Sequence, residues 1–270
     1  MSAPPALFSF RRVGALVARY LYLLRGSWTR VVEMIYWPTV QLMLWGFMTK
    51  FLVGQSAWVA QAAGVLISAV LLWDVLYRSQ LGVSLMFFEE MYARNLGHLF
   101  VSPLRPYELV ASLLCMSLIR TLISFGGASL LAVFLYHYSI YGLGFPLLAF
   151  FFNLVVMGWS IGLMVAALVL RFGLGAESLA WVVIFAVAPF SGIYYPISVF
   201  PDWLQRVVFF LPSSHVFEGM RAVLFRQPIP YDLLVNAVAL NLVYLAAGAA
   251  LFLYAFHVAR VRGLLLQVGE

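Results

Sequence analysis

The sequence predicts an all-α integral membrane protein with six transmembrane helices. Hydrophobic residues make up 64% of the 270 residues and charged residues 10%, whereas soluble domains carry about 45–50% apolar and about 25% charged residues. The apolar residues form continuous runs, while a membrane β-barrel would show segments of about ten residues that alternate apolar and polar. Six runs are long enough for a helix to cross about 30 Å of hydrocarbon.

The six predicted spans lie at residues 34–53, 60–84, 108–136, 145–170, 177–200 and 232–257. Gly158 and Gly162 form a GxxxG pattern in the fourth span, which favours close helix packing. Pro189 predicts a kink in the fifth span.

Residues 7–30, ahead of the first span, combine apolar residues at helical spacing with scattered arginines. This pattern predicts a helix lying in the membrane interface, with its arginines among the lipid head groups. A basic tail that only sets the topology is the alternative interpretation.

The basic residues favour one orientation in the membrane. With the amino terminus inside, ten arginines fall on the inner side and four basic residues on the outer side, which predicts two cytoplasmic termini and a place in the bacterial inner membrane. The inner set is Arg11, Arg12, Arg19, Arg25, Arg30, Arg94, Arg105, Arg171, Arg260 and Arg262, and the outer set is Lys50, Arg206, Arg221 and Arg226.

Two long connections interrupt the spans. Residues 85–107 form a cytoplasmic loop, and residues 201–228 form an outer connection with two apolar, helix-like pieces separated at Pro212. Each piece is too short to cross the bilayer, so the outer connection predicts a re-entrant helical hairpin. Within this hairpin, His215, Glu218 and Arg221 either stabilise the fold or contact substrate.

Three charged residues fall inside the predicted spans. Asp74 and Arg78 are four residues apart and therefore share a helix face. They form either a conformational switch in the transport pathway or a structural pair. Arg120 has no partner nearby in the sequence, and its candidate neighbours are Asp74, Glu177 and the inner interface.

The sequence lacks the patterns of several enzyme classes. Lys50 is the single lysine and follows no Gly-rich turn, so the chain has no P-loop. We therefore expect no catalytic residue, no metal and no cofactor bound by this chain. The net charge of +6 comes without a basic run interleaved with aromatic residues, which argues against nucleic-acid binding.

Two segments carry a family resemblance. Glu89-Glu90, then Arg94-Asn95-Leu96-Gly97 and the run from Leu99 to Leu104, resemble the first cytoplasmic loop of ABC-2 type transporter permeases. Pro212, His215 and Glu218-Gly219-Met220-Arg221 are similar to the outer hairpin of that family. The segment 101–106 is closer to the drug and lipid exporter branch than to the polysaccharide exporters.

This resemblance implies the membrane subunit of a bacterial exporter that moves an amphipathic, lipid-like or drug-like molecule outward. It implies a homodimer in the lipid bilayer and two copies of a cytoplasmic ABC ATPase, which would bind ATP and Mg. Polysaccharide or lipid-linked glycan export, a channel and a membrane enzyme are the alternatives. The implied ATPase-coupling residues are Glu89, Glu90, Met91, Tyr92, Arg94, Asn95, Leu96, His98, Leu99 and Arg105.

Aromatic residues make up 17% of the chain. Some of them lie where they could contact an amphipathic substrate, although tryptophan and tyrosine also favour membrane interfaces without any role in transport. The candidates for a substrate path are Trp37, Trp45, Trp73, Phe190, Tyr194 and Tyr195.

Overall fold

A computed structural model describes residues 8–53 and 57–262, and every regular element in these two ranges is helical. The α-helices are α1 (Phe10–Arg25), α2 (Trp28–Val53), α3 (Ala57–Tyr92), α4 (Leu96–Val101), α5 (Pro106–Tyr136), α6 (Phe145–Phe172), α7 (Leu179–Val187), α8 (Asp202–Val208), α9 (Pro212–Leu224) and α10 (Tyr231–Val261). Short 3₁₀ turns occupy Ile140–Leu143, Leu174–Ala176, Ala188–Phe190 and Ile197–Val199.

Four helices are long and apolar enough to cross a membrane: α3 from Gly64, α5, α6 and α10. The shortest, α6, has 28 residues, which gives about 42 Å at 1.5 Å per residue. These helices contain the predicted spans 60–84, 108–136, 145–170 and 232–257. α3 continues beyond residue 84 to Tyr92, so the first turns of the predicted cytoplasmic loop belong to the same helix.

The predicted spans 34–53 and 177–200 differ from these four. The first falls in α2, a 26-residue helix that contains Arg30, Glu33 and Pro38 and is less apolar overall. Residues 177–200 are not one continuous helix, since the helical part of this segment ends at Phe190. Leu179–Phe190 reaches only about 18 Å.

The backbone explains why the helix ends there. Pro189 has no N–H to donate to the preceding turn. Gly192 then adopts φ +74°, a left-handed conformation that a helix does not continue through. A turn then leads into the outer connection, where α8 and α9 form a pair bent by 101°. The two helices lie where the two helix-like pieces are predicted, although Pro212, predicted to separate them, is the first residue of α9.

The core is built around α6, which packs between α3 and α10. Glycines permit this close approach. A Cβ atom added to Gly158 would lie 2.1 Å from Ser79 Oγ, and one added to Gly162 would lie 2.8 Å from Val83 Cβ. On the side of α10, a Cβ atom at Gly248 would lie 2.8 Å from the Ser160 carbonyl oxygen. Small residues therefore set both helix–helix distances, as the GxxxG spacing predicts.

The amphipathic segment at the amino terminus is a helix, α1, although residue 7 of the predicted range lies outside the described residues. Its apolar face consists of Val13, Leu16, Tyr20 and Leu24, all buried. The structure differs from the expectation in what this face contacts. It packs against α5 and α2 instead of facing lipid, and exposed apolar residues such as Phe10 remain for contact with a membrane.

Candidate functional site

Three acid–arginine pairs fasten α1 and α2 to the end of the bundle that carries α4, which we call the α4 end. Glu108, in the first turn of α5, is fully buried. Its Oε1 accepts from Arg12 Nη2 at 2.6 Å, and its Oε2 accepts from Arg12 Nε at 2.8 Å. The backbone N–H groups of Ser9 and Arg105 donate to the same carboxylate at 2.8 and 3.0 Å. The hydrogen bonds that Arg12 donates to Glu108 raise the pKa of Arg12.

The second pair joins α1 to α3. Glu90 lies 2.9 Å from Arg19 Nη1, and Asn95 Nδ2 donates to Glu90 at 2.6 Å. The Glu90 side chain is only 2% exposed, so its charge depends on these neighbours. Burial, and then the charge of Glu90, raise the pKa of the adjacent Tyr20. Glu90 therefore holds α1, α3 and the start of α4 together.

The third pair lies at the surface. Glu89 Oε2 is 3.1 Å from Arg30 Nη1, which joins α3 to α2. Both side chains are about one-third exposed. Ion pairs with this exposure contribute about 0–1 kcal/mol. This pair positions α2 more than it stabilises the fold.

The residues implied in ATPase coupling divide into an inward and an outward set. Met91 and Leu96 are buried in the core, like Glu90, while Leu99 and Arg105 are half-buried. The exposed members are Tyr92, Arg94 and His98. They form one outward surface around the turn between α3 and α4, where Arg94 adopts φ +50°. The Tyr92 hydroxyl donates to the carboxylate of Glu177.

Asp74 and Arg78 form the ion pair that their spacing predicts, with Oδ1 and Nε 3.4 Å apart. Ser124 Oγ, on α5, lies 2.9 Å from Asp74 Oδ2 and 3.2 Å from the Met34 carbonyl oxygen of α2. Pro38 has no N–H, so the Met34 carbonyl four residues earlier has no helical donor. One serine hydroxyl thus joins the interruption in α2 to the ion pair of α3.

A cleft of about 140 Å³ opens beside this network, between α2, α3, α5 and α7. Arg120 contributes to its wall. Its two acidic candidate neighbours are engaged elsewhere, Asp74 with Arg78 and Glu177 with Tyr92. Within residues 8–53 and 57–262, Arg120 makes no hydrogen bond or ion pair. The lining residues are Arg30, Glu33, Met34, Trp37, Tyr77, Arg78, Leu81, Gly82, Leu85, Glu89, Arg120 and Trp181.

The polar residues of α9 bind backbone groups of the segment that leads into α8 and of the break between α8 and α9. Glu218 Oε1 accepts from Arg221 Nη1 at 3.1 Å and from the Ile197 N–H at 2.7 Å. Arg221 also donates to the carbonyl oxygens of Tyr195, at 3.0 Å, and of Gly192. His215 Nε2 lies 2.7 Å from the Phe209 carbonyl oxygen. The contacts of Glu218 and Arg221 fix the turn before α8 against α9, and the contact of His215 fixes the break between α8 and α9.

The sequence that forms these elements matches a known family of membrane proteins. Residues 13–225 match the family model described as ABC-2 type transporter. The chain belongs to the ABC-2 type transporter family. The match runs from the first buried residue of α1 to the end of α9 and includes the α4 end, the cleft and the hairpin. A search of curated proteins finds no match to this chain.

Family membership makes this chain a permease of an ABC transporter, a multi-pass membrane protein in which transport and ATP hydrolysis belong to separate subunits. One sequence pattern typical of hydrolases does occur, at Gly158-Trp159-Ser160-Ile161-Gly162. Its geometry is not catalytic. A G-x-S-x-G nucleophile stands on a strand-to-helix turn, whereas Ser160 lies inside α6 and donates to the Val156 carbonyl at 2.8 Å.

The aromatic residues considered for the substrate path of this ABC-2 permease do not form one surface. Trp37 lines the cleft, and Trp45 stacks on Tyr194 with ring centroids 5.0 Å apart. Trp73 is buried in the core. The remaining two lie at the end of the helical segment Leu179–Phe190 and in the turn that follows it. Phe190 packs beside Phe200, and the Tyr195 hydroxyl donates to the Pro189 carbonyl oxygen.

The sequence predictions for the ABC-2 permease missed Glu108 and its partner Arg12. A signal for Glu108 was present, since Pro106 and Glu108 occupy the first and third positions expected at a helix start. Nothing in the sequence indicates Arg12 as the partner, because 96 residues separate the two.

Proposed function

We propose that this permease is the membrane subunit of a bacterial ABC exporter. It moves an amphipathic, lipid-like or drug-like molecule outward, and a separate cytoplasmic ATPase supplies the energy. The observation that carries the proposal is the family match over residues 13–225. The outward direction and the substrate class rest on the sequence resemblance to the drug and lipid exporter branch.

The α4 end supports a docking role for the surface formed by Tyr92, Arg94 and His98. These exposed side chains stand at the end of α3, a helix that is continuous from Ala57 to Tyr92. A force applied at α4 therefore reaches the cleft and the Asp74–Arg78 pair through one rigid element. A partner that binds one of two arrangements more tightly shifts the equilibrium between them.

The assembly we propose is a homodimer of six-span subunits with two ATPase subunits, placed in the inner membrane with both termini cytoplasmic. α2 supports a role as a span because its 26 residues reach about 39 Å. It also presents exposed apolar side chains such as Leu44, Phe47 and Phe51 to lipid or to a second copy.

Co-purification tests this function. The tagged chain is extracted in mild detergent from cells that contain its neighbouring proteins, and the ATPase activity of the complex is measured. We expect a stoichiometric P-loop subunit, which Arg94→Glu releases because it reverses a charge on the docking surface. Arg226→Glu is the matched control, since Arg226 is also exposed and also adopts a positive φ, of 58°.

Retention of the partner by Arg94→Glu would place the docking surface elsewhere on the molecule. A chain that purifies alone from such cells, and that transports in vesicles without ATP, would contradict the exporter itself.

A further inference from the structure

Arg120, on the wall of the cleft, is a cation that makes no direct ion pair within the described residues, although Glu33 and Glu89 line the same cleft. Two of its three arginines have acidic partners, since Arg30 pairs with Glu89 at 3.1 Å and Arg78 pairs with Asp74 at 3.4 Å. Arg120 has none within the described ranges. A charge within a membrane-spanning helix is costly without a direct partner, and such residues face a polar cavity or mark a pathway. This places Arg120 among candidate ligand-binding residues.

The dimensions of the cleft limit what it can hold. Its volume of about 140 Å³ is roughly tenfold more than one water requires. It is also smaller than the pockets of about 300–1,000 Å³ that hold whole drug-sized ligands. The space therefore suits a polar head group and not an entire amphiphile.

The shape of the cleft suggests how such a group enters. Its lining follows α3 from Tyr77 to Glu89, a distance of about 18 Å. Glu89 stands near the α4 end, and Arg78 and Arg120 stand towards the middle of the bundle. Aromatic rings of Trp37, Tyr77 and Trp181 form part of the wall. A head group can pass along this wall while its apolar chain stays in the bilayer.

We propose that the cleft binds the anionic, phosphodiester-type head group of a membrane amphiphile, with Arg120 as the cation that recognises it. Arginine suits this role because its planar group donates two parallel hydrogen bonds to phosphate oxygens. Glu33, on the same wall, is a carboxylate that opposes the anion. The inference deepens the proposed function and rests on it for one point, that the bound molecule is cargo.

Equilibrium binding to the purified full-length chain, without nucleotide, tests the inference. Three probes are compared: phosphatidylglycerol, diacylglycerol with the same chains, and soluble glycerol phosphate. We expect Arg120→Gln to weaken phosphatidylglycerol binding about tenfold or more, because it removes a charge-assisted hydrogen bond. Arg260→Gln, at an exposed arginine of α10 outside the cleft, is expected to leave binding unchanged.

The other two probes and the Glu33 variant distinguish the proposal from its alternatives. Diacylglycerol binding as tight as that of phosphatidylglycerol, or an Arg120→Gln variant with native affinity, would overturn the proposal. Glycerol phosphate binding as tightly as the lipid would identify a soluble anion instead of a membrane amphiphile. Glu33→Gln should preserve or strengthen binding, and a loss equal to that of Arg120→Gln would contradict the charge assignment.

Two controls keep the test decisive. The melting temperature of each variant in detergent reports folding, and Arg120→Lys, which retains the charge, replaces Arg120→Gln if the latter fails to fold. Arg120→Lys should then keep part of the affinity, since lysine cannot form the two parallel bonds. Because the assay needs no ATPase, a negative result leaves the partner test of the proposed function unaffected.

Discussion

Burial separates the three acid–arginine pairs at the α4 end, although their chemistry is the same. Glu108 is fully buried and accepts four hydrogen bonds, two of them from backbone N–H groups. Glu90 is 2% exposed and has two partners, whereas Glu89 is about one-third exposed. A buried carboxylate that loses its partner is left charged in a poorly solvated place. Glu108 and Glu90 therefore fix α1 to the bundle, and Glu89 remains available to move.

Ser124 allows the link between α2 and α3 to be tested at a single atom. We expect Ser124→Ala to destabilise the chain by about 1–2 kcal/mol, because Asp74 and the Met34 carbonyl share the single hydroxyl proton of Ser124 and both lose it. The melting temperature of the purified variant in detergent measures the effect. It should fall relative to the native chain without any change in purification behaviour.

A double-mutant cycle with Pro38→Ala assigns the effect to the carbonyl. Alanine at position 38 restores an N–H that can donate to the Met34 carbonyl, so Ser124→Ala should cost less in that background. Equal losses in the two backgrounds would show that Ser124 does not satisfy the carbonyl freed by Pro38.

At the scale of elements, apolar run length predicts the long helices because crossing the hydrocarbon requires about twenty residues. It does not locate the end of α3, whose last turns mix Glu89 and Glu90 with apolar residues that pack in the core. It also cannot show that 177–200 stops being helical after Phe190, since hydropathy does not report the backbone effects of Pro189 and Gly192. Ion pairs can likewise be predicted from the sequence only when the two residues are close along the chain. Asp74 and Arg78 are neighbours by spacing, while Glu108 and Arg12 meet only in the fold.

Two glycine substitutions should have opposite effects on stability, because only one of the two glycines lies at the contact between α6 and α3. Gly158→Ala should destabilise the chain by about 1–3 kcal/mol through overpacking, because its Cβ atom would meet Ser79 Oγ and the Leu76 carbonyl oxygen. Gly126→Ala, within α5, has no atom within 4 Å of the added Cβ. It should be neutral or stabilise by up to about 1 kcal/mol, since alanine favours helix.

Thermal unfolding of the two variants in the same detergent measures both effects. A Gly158→Ala variant as stable as Gly126→Ala would show that α3 and α6 separate at little cost.

At the scale of the whole molecule, the number of crossings decides on which side each end of the bundle lies. α5 leads away from the α4 end and α6 leads back, and Tyr92 contacts Glu177 there. The segment after Glu177 must then reach the hairpin with only 12 helical residues and the extended turn that follows Phe190. If this segment crosses the bilayer together with the turn, α4 and the hairpin face opposite compartments. If it does not cross, they face the same one.

Cysteine labelling distinguishes these two topologies. In a Cys115→Ser background, single cysteines replace Ser102, at the α4 end, or Gln227, after α9, both at exposed positions. We expect a membrane-impermeant maleimide added to intact cells to label Gln227→Cys and to leave Ser102→Cys unlabelled until the membrane is opened. Labelling of both from the same side would mean that residues 177–200 do not complete a span. In that case the surface around Arg94 and the hairpin would share a compartment, and an ATPase docked at α4 could not drive a molecule towards the opposite face through the cleft.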